Sequence, residues 1–225
     1  TESRRLRGEA VFARSTYVNP FDPALAQGGT LQPVLPVTAN GYSIEIAGDL
    51  LREAKLLSAA HGLTLTATLR HERIAPLFKS LGASISSDTQ LDRAALAAQM
   101  AGAQVQLTQQ RLQDNHDDIP TILKTRTDSS SFSASAPLPR WLGADPAASW
   151  WPTINIQWQR VHQLALNAPV TEDSGFAASH RPDQVSTSQS LGASWARGIW
   201  AWNYGLNHSE QDNRQAGRER ADFAT

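Results

Sequence analysis

The sequence predicts an all-β fold, an antiparallel up-and-down meander of about nine strands. Two observations predict it. Apolar and polar residues alternate at period two in segment after segment, which is the spacing of side chains on a strand with two different faces. The segments are joined by connections that are long and short in turn along most of the chain, as in a meander with tight turns at one end.

The clearest segment runs from Val185 to Ser209 and predicts a hairpin. The tight turn is expected at Arg197-Gly198, where the alternation is interrupted. The apolar side carries Val185, Leu191, Ala193, Trp195, Trp200, Trp202, Tyr204 and Leu206. The other side is small and polar and includes Ser190, Ser194 and Asn203. A soluble core and a lipid bilayer would both accept such an apolar side.

The first third of the chain predicts three strands and two long loops. Arg4 to Arg14 is the first strand, and the proline-rich segment Ser15 to Asn40 is a loop. A second strand starts at Gly41 and continues through Asp49 to Lys55. A third follows from Leu63 to Arg70, where Leu and Thr alternate, and a loop runs from Arg73 to Asp88.

Two segments are compatible with either helix or strand. Leu50 to Ala60 has good helix formers, although a clean strand follows it directly. Leu91 to Leu112 is rich in Ala, Leu and Gln, which favours one long helix by propensity alone. Yet Ala103, Val105 and Leu107 alternate with polar residues, and Met100-Ala101-Gly102 can form a short turn. We therefore expect two strands in the second segment.

The remaining segments alternate between polar connections and strands. Asp114 to Thr121 is an acidic loop, and Arg126 to Ala136 is a serine-rich strand, since a helix would gain little from five serines. A connection with several prolines follows, from Leu138 to Pro152. Ile154 to about Leu166 is the next strand, and Asn167 to Gln184 is a loop that leads into the hairpin.

Composition excludes several classes of protein. The 225 residues contain no cysteine, which excludes disulfides, thiolate metal sites and a cysteine nucleophile. The formal charge of -1 gives no support for nucleic-acid binding, which calls for a concentrated basic face. No run of about 18 apolar residues occurs, which excludes a transmembrane helix. A mean hydropathy of -0.38 is ordinary for a soluble protein but is compatible with a membrane barrel, whose lumen and loops are polar.

The tryptophans favour a membrane protein. All seven lie between Trp141 and Trp202. The expected membrane-interface aromatics are Trp141, Trp150, Trp151, Trp195, Trp200, Trp202 and Tyr204. The alternative places these rings in the core of a soluble protein. The predicted strand lengths of about 10 to 14 residues favour membrane-spanning strands over this alternative. In a barrel we expect Trp195, Trp200 and Trp202 to point outward and Ser190, Ser194 and Asn203 to point inward.

Several stretches together resemble large bacterial outer-membrane β-barrel proteins. They are RLRGEAVFARS, GYSIEIAG, LTATLRHERIAPLFKSLGAS and RLQDNHDDIPTILKTRT, which cover about half of the chain from Arg4 to Thr127. The shared elements are a loop of the type Pro76 to Gly82 and an Asp114-Asn115 pair that closes a strand. The resemblance implies a β-barrel in the outer membrane, with no defined substrate. The alanine-rich Leu91 to Gly102 departs from the expected β-branched and aromatic content.

No residue pattern indicates catalysis, and we expect no catalytic, cofactor or metal site. Asp114, His116, Asp117 and Asp118 form the densest set of candidate metal ligands, but the spacing lacks the glycine and the terminal glutamate of a calcium loop. His71-Glu72-Arg73 lacks the second histidine of a zinc-protease motif. The charged strand residues Arg70, Glu72, Arg126 and Arg160 are candidates for a pore lumen or for the membrane interface.

The leading hypothesis is that residues 1–225 are a single barrel segment, incomplete at both ends, in the outer membrane of a Gram-negative bacterium. The expected role is a pore or a secretion or surface-assembly channel and is not enzymatic. The expected partners are the lipid bilayer and further barrel strands or envelope proteins. The alternatives are a soluble β-rich envelope or surface binding module with a Trp-rich core and, with less support, an α/β enzyme.

Overall fold

The computed structural model describes residues 6–17, 37–55, 62–78, 88–138, 151–167, 181–215 and 220–224. In these ranges the chain forms ten strands. They are β1 (Leu6–Tyr17), β2 (Val37–Lys55), β3 (Gly62–Ile74), β4 (Thr89–Met100), β5 (Ala103–Asp114), β6 (Thr125–Pro137), β7 (Thr153–Ala165), β8 (Asp183–Arg197), β9 (Trp200–Asn213) and β10 (Arg220–Ala224).

All ten strands belong to one antiparallel sheet in the order of the chain. Each strand pairs with the next, from β1 to β10, and β1 and β10 form the two edges, so that the described sheet is open. The predicted all-β meander is therefore confirmed. Nine strands are 12 to 19 residues long, in agreement with the predicted nine. The five-residue β10 was not predicted.

The ambiguous segment Leu91 to Leu112 forms the hairpin of β4 and β5. Met100 pairs with Ala103, and the two turn residues Ala101 and Gly102 have φ angles of 49° and 78°. Two positive φ values are typical of a type I′ turn, whose twist matches that of the flanking strands. The helix alternative is wrong because β3 and β6 pair with both sides of this hairpin and outweigh local propensity.

Strand boundaries differ from prediction at three other places. Residues 50–55 belong to β2, so the helix alternative for Leu50 to Ala60 is wrong there, and residues 56–60 lie outside the described ranges. The predicted loop Ser15 to Asn40 is shorter, since β1 runs to Tyr17 and β2 begins at Val37. The β8–β9 turn is Gly198-Ile199 rather than Arg197-Gly198, because Arg197 still pairs with Trp200.

The connections differ in length between the two ends of the sheet. At one end, here called the short-turn end, β4–β5 and β8–β9 are joined by two-residue turns. At the other, the long-connection end, residues 18–36, 75–88, 115–124 and 166–182 join successive strand pairs. The β6–β7 connection, residues 138–152, is the exception, because it is long and lies at the short-turn end.

Very little of the sheet is buried. Among the described residues the buried apolar side chains are Ala39, Ile74, Phe78 and Val185, and the first three form a small cluster at the long-connection end. Among the described residues, no second sheet or helix packs against this single layer, so both of its faces stay accessible there. Across the described ranges, no helix has the length and hydropathy needed to cross a membrane.

Candidate functional site

The two faces of the sheet differ in chemistry. Directly opposed residues of antiparallel strands share a face, so the register assigns each side chain between the strand ends. The apolar face carries Phe12, Ile44, Ile46, Leu69, Leu96, Val105, Leu107, Phe132, Ile156, Trp158, Leu191, Trp202, Tyr204 and Leu206. The polar face carries mainly Ser, Thr, Gln and Asn, with charged residues on β1 to β4.

The large side chains of the apolar face are accessible. Leu69 is 59% exposed, Phe12 68% and Tyr204 61%. Nine strands at a spacing of about 4.8 Å and a height of about 18 Å give this patch an area of roughly 700 Å². Contiguous apolar patches on soluble monomers seldom exceed a few hundred Å². We therefore expect the apolar face to contact another apolar surface.

The apolar residues form a band that crosses the strands obliquely. The row of paired residues that begins at Ile44 on β2 passes through Arg111 on β5 and ends at Asp212 on β9. On β9 the apolar residues centre instead near Tyr204, about eight residues closer to the short-turn end. Relative to the rows of paired residues, the band thus shifts by about one residue per strand. A shift of about 3.3 Å along the strand for each 4.8 Å between strands gives an angle of about 35° between the band and these rows.

A row of charged residues borders the band toward the long-connection end. On the apolar face of β3 to β7, His71, Asp92, Arg111, Asp128 and His162 lie side by side. The His71 and Asp92 side chains are 2.6 Å apart, and Arg111 donates to Asp128 at 2.7 Å. Within this row, a hydrogen-bonded contact links His71 on β3 to Asp92 on β4, and an ion pair links Arg111 on β5 to Asp128 on β6.

The four charged candidates from the sequence divide between the two faces. Arg126 and Arg160 lie on the apolar face toward the long-connection end, and Arg126 approaches Asp128 at 2.9 Å. Arg70 and Glu72 lie on the polar face and pair with each other. Glu45 extends this pair, since it lies 3.9 Å from Arg70 and 3.7 Å from Arg7. The sequence pattern predicted the same role for all four, as charges of a pore lumen or of the membrane interface. The register instead places two of them on each face of the sheet.

The aromatic candidates lie near the short-turn end where the structure describes them. Trp195 pairs with Trp202, and Trp200 pairs with Arg197 at the β8–β9 turn. Tyr204 follows on the same face, opposite Ala193. The polar residues Ser194 and Asn203 pair with each other on the opposite face, so the predicted separation of the two sets is present. Whether the tryptophans face lipid stays a prediction.

Four further tryptophans belong to the same region of the sequence. Trp151 is 55% exposed and lies just before β7, and Trp158 lies farther along β7 on the apolar face. Trp141 and Trp150 lie outside the described residues. Trp200 and Trp202 are 61% and 55% exposed, so neither is part of a buried core.

The acidic loop between β5 and β6 is organised by one buried side chain. Asn115 is 2% exposed, accepts a hydrogen bond from the Ile119 amide and donates to the Ile119 and Ile122 carbonyls. Asp114 accepts hydrogen bonds from the amide and hydroxyl of Thr125. Asp88 accepts from the backbone amides of His116 and Asp117, which fixes the loop to the preceding connection.

The acidic residues of this loop are paired with cations or with the backbone. Asp117 accepts a hydrogen bond from Arg73 at 3.0 Å, and Asp118 accepts one from Lys124 at 2.6 Å. Within the described ranges, no three His, Asp or Glu side chains converge in a way that could hold a metal ion.

The Lys124 ammonium lowers the pKa of Asp118 below its ordinary value of 3.8. The hydrogen bond from Lys124 is the larger cause, and the positive charge of Lys124 is the second. A lowered pKa in the folded loop means that this pair stabilises the loop above pH 3.8 and that the contribution is lost as pH falls through the folded pKa. We expect Lys124→Met to return the Asp118 pKa to its ordinary range in an NMR titration. An unchanged pKa in that variant would contradict the pairing.

Sequence reasoning did not find the oblique band or the charged row. Alternation along each strand assigns the apolar residues to one side, but only the register aligns one strand with the next. Asn115 was part of a recognised Asp-Asn pair, although nothing in the sequence indicated that its side chain is buried. Comparison of the chain with protein-family models, curated proteins and solved structures gives no match.

Proposed function

We propose that the chain forms part of the wall of a transmembrane β-barrel in the outer membrane of a Gram-negative bacterium. The barrel would serve as a pore or as a secretion or surface-assembly channel, without a catalytic step. In this arrangement the apolar face contacts lipid and the polar face lines the lumen. Further barrel strands or envelope proteins would pair with the open edges β1 and β10.

The observation that carries the proposal is the oblique apolar band. A lipid bilayer imposes a band parallel to the membrane plane, whereas barrel strands tilt by 35–45° from the barrel axis. On a tilted strand array, a level band must therefore cross the rows of paired residues at the tilt angle. The angle of about 35° between the band and the rows matches this requirement.

Three other features support the same function. Strands of 12 to 19 residues exceed the 9–11 residues that a tilted transmembrane strand needs. Aromatic residues lie at one border of the band and charged residues at the other. Long connections lie predominantly at one end of the sheet and two-residue turns at the other.

The soluble binding module with a Trp-rich core has less support. Trp200 and Trp202 are more than half exposed, and the described strands place no second layer over the apolar face. The α/β enzyme has less support still, because both of its expected helices are strands wherever the structure describes them.

Depth measurements with cysteine-linked probes test the proposal. The chain contains no cysteine, so single cysteines can be placed without background. Ile46 and Thr187 belong to the same row of paired residues, six strands apart. We expect a nitroxide at Ile46→Cys to lie in the hydrocarbon and one at Thr187→Cys to lie about 16 Å shallower, from the spacing and tilt of the strands.

Ala193→Cys provides the matched control. It lies on β8, about six residues from Thr187 toward the short-turn end, and should match Ile46→Cys in depth. Equal depths for the labels at Ile46→Cys and Thr187→Cys would refute the lipid-facing assignment. Access of a water-soluble paramagnetic relaxation agent to all three labels would also refute it.

A further inference from the structure

The polar face is divided into a charged sector and an uncharged sector. On β1 to β4 it carries Arg7, Glu9, Glu45, Asp49, Arg70, Glu72 and Arg93. On β5 to β9, in the part of the chain that the structure describes, the polar face has no ionisable side chain between the strand ends. The nearest carboxylate, Asp114, lies at the end of β5 and is held by Thr125.

The uncharged sector presents hydroxyl and amide groups that are available for a ligand. Ser133 pairs with Gln157 at its centre, and Gln159 and Ser188 form the next paired positions. Within the described ranges, the side chains of these four residues make no hydrogen bond to other protein groups. Each serine offers one donor and two acceptors, and each amide adds two donors and one carbonyl oxygen.

Two adjoining hollows lie in this sector. One, of about 330 Å³, includes Gln159, Ser188 and Asn207 in its lining, and the other, of about 270 Å³, includes Gln104, Ser135 and Asn155. Ser133 and Gln157 line both. The short serine side chains leave this space between the longer amides, and the two hollows together reach the size range of ligand sites in proteins.

We propose that the uncharged sector of β5 to β9 is a binding surface for neutral, hydroxyl-rich solutes, with uncharged oligosaccharides as the ligand class. This inference rests on the proposed function, because it makes the polar face the lining of the channel. Serine hydroxyls and side-chain amides can donate hydrogen bonds to sugar hydroxyls and can also accept hydrogen bonds from them. A charged solute would find no counter-ion along five adjacent strands and would lose part of its hydration without compensation.

Saturation-transfer NMR on the full chain in detergent micelles tests the ligand class. The probes are maltohexaose, which is neutral, a galacturonic acid hexamer, which is anionic, and a glucosamine hexamer, which is cationic. We expect saturation transfer to maltohexaose and affinities for both charged hexamers at least about fivefold weaker. Equal or tighter binding of either charged hexamer, or no binding of maltohexaose, would overturn the inference.

Matched variants locate the site. Ser133→Leu fills the junction of the two hollows and should weaken maltohexaose binding at least about fivefold, whereas Ser43→Leu, on the polar face of β2, should not change it. Gln157→Glu places a charge at the same junction with little change of shape and should also weaken binding. Equal effects of the two serine variants would refute the location. The measurement needs no bilayer, so its failure is distinct from failure of the depth test of the barrel.

Discussion

Leu107→Arg is expected to destabilise the chain in lipid vesicles by about 2–4 kcal/mol, the cost of an arginine near the bilayer midplane on the lipid face of a barrel. Leu107 lies in the centre of the apolar band, between Leu96 and Phe132 on the neighbouring strands. Its side chain is already 49% exposed, so the same substitution in water would cost little. The size of the loss therefore distinguishes lipid from water as the neighbour of this face.

The adjacent residue supplies the control for this prediction. Gln106 is exposed on the polar face, and Gln106→Arg should change stability by less than about 0.5 kcal/mol in the same vesicles. Equilibrium unfolding in urea measures both variants. Similar small changes for the two would mean that both faces contact water, and the barrel proposal would fail.

Asn115→Ala is expected to destabilise the β5–β6 connection by about 3 kcal/mol. The substitution leaves the Ile119 amide and the Ile119 and Ile122 carbonyls without their partner, and an unsatisfied buried polar group costs about 1–3 kcal/mol. Asn115 also has a φ of 42°, a left-handed conformation that alanine adopts less readily than asparagine. The expected result is faster amide exchange at Ile119 and cleavage by thermolysin within residues 115–124.

Two variants make this test specific. Asn115→Asp keeps the acceptor for the Ile119 amide and loses both donors, so its effect should be intermediate. Gln113→Ala, on the strand just before the loop, should leave amide exchange at Ile119 unchanged. Exchange in Asn115→Ala at the rate of the unaltered chain would show that other contacts hold the loop.

Nine of the ten described strands were predictable from the sequence because most of them alternate at period two over most of their length. Even the alanine-rich β4 could be predicted as a strand, since its partner β5 alternates clearly and a short Ala-Gly turn joins them. Turn positions were less predictable. The β8–β9 turn moved by one residue to Gly198-Ile199, because Gly198 supplies the positive φ at the first turn position.

The features of the candidate site were less predictable because they depend on register. Arg126 and Arg160 could be assigned to one side of their strands, but their position beyond the apolar band follows only from pairing with β5 and β8. The row from His71 to His162 combines residues that lie far apart in sequence. Periodicity within one strand contains no information about alignment with the next.

The order of the sheet has a consequence for how the chain folds. Every described strand pairs with its sequence neighbours, so each new hairpin can add to an edge that already exists. The two-residue turns at Ala101-Gly102 and Gly198-Ile199 have the lowest entropic cost of loop closure. We therefore expect the β4–β5 and β8–β9 hairpins to form first. Contacts between strands that are close in sequence lower the contact order and favour faster assembly than crossover topologies of the same size.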